Sequence, residues 1–104
     1  MHLFRDHLGN RVRLTEERLA HILEHPEMRG LEFAIAETLA KPEYVVQSLS
    51  DEQAHLYYRF YSETPVSSKF LCVVVKKGRG DPFVLTAYLT DKPKRGEILW
   101  TGKS

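Results

Sequence analysis

Lys69-Phe70-Leu71-Cys72-Val73-Val74-Val75-Lys76, a Gly78-Arg79-Gly80-Asp81-Pro82 segment, and then Phe83-Val84-Leu85-Thr86-Ala87-Tyr88-Leu89-Thr90 form the stretch that decides the fold. Two runs rich in β-branched and aromatic residues, joined by a Gly/Pro segment, predict a strand, a loop and a returning strand. The first run is apolar from Phe70 to Val75, which predicts cover on both of its faces. The second alternates. Phe83, Leu85, Ala87 and Leu89 are expected under a helical layer, with Val84, Thr86, Tyr88 and Thr90 on the opposite, functional face.

Upstream of this pair, Tyr44–Leu49 and His55–Tyr61 read as two further strands separated by a polar turn. The later one sorts into Leu56, Tyr58 and Phe60 on one face, and His55, Tyr57, Arg59 and Tyr61 on the other. Two helices are expected before them. Thr15 is placed as an N-cap with Glu16 and Glu17 in the first turn, and Leu19, Ile22 and Leu23 form an apolar stripe that ends by Pro26. Leu31, Ala34, Ile35, Thr38 and Leu39 keep helical spacing up to Lys41-Pro42, with Phe33, Ala36 and Ala40 widening the buried side. Short runs at Leu3–Arg5 and Arg11–Leu14 flank a Gly-Asn turn and suggest a small N-terminal hairpin. Glu97–Trp100 reads as a short terminal strand or anchoring tail after the basic turn Asp91–Gly96. Helices followed by strands at hairpin spacing predict one α+β domain over residues 1–104. Its expected form is two N-terminal helices packed on a four-stranded antiparallel sheet, with the short N-terminal hairpin as an addition.

At 104 residues the chain can bury an ordinary core, and 42% hydrophobic with 28% charged residues is a globular composition. The one cysteine, Cys72, lies inside an apolar strand and reads as a small core residue of a reducing compartment. No signal peptide and no membrane-length apolar segment is read, so a cytoplasmic protein without a membrane partner is the expectation. The net charge of +1 hides an asymmetry. Residues 1–68 carry seven Lys/Arg against eleven Asp/Glu (−4), and residues 69–104 carry eight against three (+5). The basic part can meet a polyanion, or Lys76, Lys77 and Arg79 can merely solubilise a hairpin tip.

Two constellations carry chemistry. Tyr57, Arg59, Tyr61, Thr86, Tyr88 and Thr90 are expected on one sheet face, with Lys76 at a strand end and Lys92 in the basic turn. Aromatic rings, Arg and hydroxyls suit RNA: rings stack on bases while cations and hydroxyls meet phosphate. The same pattern also describes the solvent side of an ordinary antiparallel sheet. His21 and His25, four apart on the first helix, are neighbours on one flank. They suit general acid–base work near neutral pH, half a zinc site, or local hydrogen bonding. No third metal ligand is read, and no cofactor motif; Gly78-Arg79-Gly80 lacks the helix and third glycine of a phosphate loop.

The segments Arg13–Glu27 (with His21-x-x-x-His25-Pro26-Glu27), Leu56–Arg59, Phe70–Lys76, Leu85–Asp91 (with Thr86-Ala87-Tyr88) and Gly96–Trp100 resemble the phage-type branch of the barnase–EndoU–colicin–RelE nuclease-like superfamily. The resemblance runs from about Arg11 to Trp100. It implies the two-helix, four-strand fold and a metal-independent ribonuclease or toxin-like RNA-cleaving protein. Cleavage would proceed by transphosphorylation through the 2′-hydroxyl. On that basis His21 and His25 are the candidate acid/base pair, Arg59 and Lys76 the phosphate contacts, and Thr86 and Tyr88 the positioning groups. Tyr57, Tyr61, Thr90 and Lys92 are candidate substrate contacts. The implied partners are RNA and an antitoxin or other protein, with a homodimer left open. The alternative is a non-catalytic module of the same fold that binds RNA or protein through the sheet face.

Overall fold

A computed structural model describes residues 1–102. Among them are β1 (His2–Arg5), β2 (Arg11–Leu14), α1 (Glu16–Leu23), a 3-10 turn at Pro26–Met28, and α2 (Glu32–Ala40). Then come β3 (Tyr44–Ser48), β4 (Ala54–Tyr61), β5 (Lys69–Lys76), β6 (Phe83–Thr90) and β7 (Gly96–Thr101). The fold is α+β, but the expected four-stranded antiparallel sheet is corrected to a seven-stranded mixed one, in the order β1-β2-β6-β5-β4-β3-β7. The four expected strands form its middle. The N-terminal hairpin joins one edge through a single parallel bridge, Arg13 to Phe83, and β7 pairs antiparallel with β3 at the other. No described helix is long and apolar enough to cross a membrane.

Local chemistry explains the elements. Thr15 caps α1 by accepting from the Arg18 backbone N–H at 3.1 Å, with Glu16 and Glu17 against the positive helix end. The chain leaves α1 through Pro26 and turns at Gly30, whose φ of +84° suits a residue without a side chain. Ile22, Met28, Leu31, Ala34, Ile35 and Leu39 then close over Val12, Leu14, Val45, Tyr57, Leu71, Val73, Val75, Val84 and Ala87 in the larger core. Phe33, expected to widen the buried side of α2, is exposed instead.

The other sheet face has its own smaller core of Val46, Ala54, Leu56, Tyr58, Cys72 and Val74, flanked by Tyr44, Phe70, Leu85 and Tyr88. No helix covers it. What crosses it is the connection from β6 to β7, residues 91–95, which must pass β5, β4 and β3. Four strand spacings come to roughly 19 Å. The six Cα–Cα steps from Thr90 to Gly96 reach about 20–22 Å when extended. The connection therefore runs as a taut strap. It is pinned where the Lys94 backbone N–H donates to the Tyr58 hydroxyl at 3.0 Å and the Lys94 ammonium sits 5.7 Å from the Tyr88 ring centroid. Gly96 ends the strap. A Cβ there would collide with the Gln47 carbonyl oxygen and Val46 Cγ1, so only glycine lets β7 start this close to β3.

Candidate binding groove on the uncovered sheet face

Beside the strap lies a groove of about 570 Å³, lined by Leu56, Val74, Leu85, Thr86, Tyr88, Lys94, Arg95 and the Ser48–Asp51 turn. Its apolar floor comes from β4, β5 and β6, and its cationic wall from the strap. Under the floor, burial pushes the Cys72 thiol up, while hydrogen bonds with Tyr88 and Tyr58 act against that shift. Burial likewise raises both phenols well above the usual tyrosine range. This is a closed network of neutral groups. On the far wall Lys76 is ion-paired to Asp51, and this bond leads the causes that hold the carboxyl below its usual range.

The sequence-predicted residues divide between the two sides of the sheet. Thr86 and Tyr88 line the groove, Lys76 stands at its rim through Asp51, and Thr90 donates to the Lys92 carbonyl at 3.2 Å at the base of the strap. Tyr57, Arg59 and Tyr61, expected on the same face, are corrected to the helix side. Tyr57 is buried and donates its hydroxyl to Asp6 at 3.1 Å. Tyr61 donates to Glu37 at 2.6 Å, and burial followed by this bond pushes its phenol up to about 12. Arg59 donates to the Lys41 carbonyl at 2.8 Å and approaches Glu37 at 3.5 Å. The physical reason is the pairing register. Val45 pairs with Tyr57 and lies in the larger core, whereas Val46 pairs with Leu56 and lies in the smaller one.

His21 is exposed on α1, whose buried Ile22 belongs to the larger core. His25, expected on the same helix, lies past its end as the exposed residue that opens the 3-10 turn. Their ionic neighbours are Glu24 and Glu27, each at 3.6 Å. Neither ring meets Arg59, Lys76, Thr86 or Tyr88 among the described residues, and the sheet stands between the pair and the groove. The described residues hold no cluster of three or more metal-ligating side chains. The sequence reading missed Leu85, Lys94 and Arg95 as lining. The last two lay in a recognised basic turn, and the signal to use was that a short turn must cross the sheet if Glu97–Trp100 pairs at its far edge.

Comparison of the chain with protein-family models, curated proteins and solved structures gives no match.

Proposed function

We propose that this chain is a non-catalytic module that holds single-stranded RNA against the uncovered sheet face. The observation that carries the reading is the groove itself: an apolar and aromatic floor beside two strap cations, with no histidine in its lining. Bases bury against Leu56, Val74, Leu85 and the free edge of Tyr88, while Lys94 and Arg95 meet phosphate. The Thr86 hydroxyl supplies a hydrogen bond at the floor. The basic charge of residues 69–104 supports the same polyanion partner.

Anisotropy of a labelled single-stranded RNA, measured over a salt series in chelator, tests this. Replacing both strap cations, Lys94→Glu with Arg95→Glu, should lower the slope of log K against log salt by about 1.4, since each phosphate contact to a single strand contributes roughly 0.7. The RNA should remain intact on a denaturing gel. Absence of binding, or binding indifferent to the double substitution, sinks the module. Cleavage by the native chain that His21→Ala abolishes would return the nuclease reading in its place.

A further inference from the structure

On the helix side, where α2 ends against β4 and β7, a separate cavity of about 310 Å³ is lined by His7, Lys41, Glu43, Arg59, Trp100 and Gly102. Its groups are held in place before any ligand arrives. The His7 ring packs 4.7 Å from the Trp100 indole and edge-on to Tyr57 at 5.7 Å. Asp6, next to His7, fixes the hairpin tip by accepting the backbone N–H groups of Leu8 and Asn10. Arg59 is held by the Lys41 carbonyl and Glu37. Gly102 lies so close to Pro42 that a Cβ would strike the proline carbonyl oxygen, which seats the end of β7 beside the indole.

What is left unused points to a ligand. His7 Nδ1 is buried without a hydrogen-bond partner, a costly state for a polar atom. The Lys41 ammonium makes no hydrogen bond or ion pair among the described residues. Trp100 keeps 39% of its surface exposed despite the His7 contact. Glu43 accepts from the Phe60 backbone N–H through Oε2, leaving Oε1 as an acceptor at the rim.

We propose that this cavity binds a single nucleotide, its base on the free part of the Trp100 ring and its phosphate toward Lys41 and Arg59. Glu43 accepts from a base N–H, which every nucleobase offers. The volume sits at the small end of ligand cavities and suits one nucleotide rather than a strand. Pre-organised walls keep the entropic cost of binding low. Burial lowers the affinity of His7 for a proton, so near neutral pH it presents an uncharged imidazole able to donate or accept at the ligand. The proposal stands apart from the groove on the opposite face.

Trp100 is the one tryptophan of the chain, so its emission reports on this cavity alone. Titration with adenosine monophosphate, and in a parallel arm with a 5′-phosphorylated trinucleotide, should give a saturable change in at least one arm. Which arm responds identifies the source as a free nucleotide or an RNA end. Inorganic phosphate should bind more weakly than either. The exposed Lys41→Ala change should weaken binding severalfold, and Trp100→Phe, followed by calorimetry, about tenfold through the lost stacking surface. The strap double variant Lys94→Glu with Arg95→Glu should leave the titration unchanged. No saturable response in either arm overturns the proposal. So does a response indifferent to Lys41→Ala or abolished by the strap variant.

Discussion

Tyr57 donates its hydroxyl to the Asp6 carboxylate at 3.1 Å, tying the tip of the N-terminal hairpin to the middle of the sheet. Both partners are buried, so the bond is made away from water. Tyr57→Phe keeps the ring that packs on His7 and removes only the donor. The buried carboxylate then loses one partner while keeping Leu8 and Asn10. The expected loss is about 1–3 kcal/mol in urea unfolding, with an unchanged m-value. A variant as stable as the parent would mean that the hairpin tip is not docked in solution.

His7 and His55 give the protein an acid-sensitive stability. Burial leads the causes that lower both rings from their usual 6.5, with Lys77 adding to the effect at His55 and Asp6 opposing it at His7. The unfolded chain therefore binds protons that the folded chain refuses. Stability is full above about pH 6.5 and falls as the pH drops from there toward the lowered folded values. Glu37, Asp51 and Asp91, all held below their usual ranges, add a second loss at more acidic pH. Urea midpoints taken from about pH 8 to about pH 5 should decline, and replacing both histidines by Gln should flatten the upper part of that slope. A midpoint that rises on acidification contradicts the burial of the rings.

The strap can be followed through the single thiol. Cys72 is fully buried beneath it, and burial disfavours its thiolate. A disulfide reagent should therefore label the folded protein only as fast as it opens. Tyr58→Phe removes the acceptor for the Lys94 N–H and should speed labelling about fivefold, the equivalent of one modest hydrogen bond. Rapid labelling of the native protein would show that the strap does not close this face.

Much of the architecture was legible because its signals are local. Thr15 with its glutamates, the Pro26 stop and the apolar run of β5 each have a reason within a few residues. The width of the sheet was not. β1 and β7 are short edge strands, and their partners lie far away in sequence: Arg13 bridges to Phe83, and Trp100 to Val45. The site was half legible. Alternation correctly separated Tyr57, Arg59 and Tyr61 from Leu56 and Tyr58. Yet Tyr57 and Tyr58 are both buried, so period-two spacing could not tell which set looks toward the helices. That choice is made by the register with β3. The position of the histidine pair was illegible for a different reason: the spacing assumes one continuous helix, whereas α1 ends at Leu23, and it does not say which sheet face that helix covers.

β6 carries the sharpest departure from simple alternation. Thr86 pairs with Val74 but Val84 pairs with Val75, so Leu85 is an extra residue in the ladder. The bulge reverses the expected facing below it. Val84, read as part of the functional face, is fully buried in the helix-side core, and Leu85, read as helix-facing, lines the groove beside Thr86. Val84→Ala should therefore cost about 2–3 kcal/mol, two methyl groups plus the cavity they leave. Leu85→Ser should cost less stability but weaken RNA retention, because it removes groove floor rather than core. Unfolding and binding measured on the same two variants separate these outcomes. Uninterrupted alternation predicts the reverse order, with Leu85→Ser the more damaging to the fold.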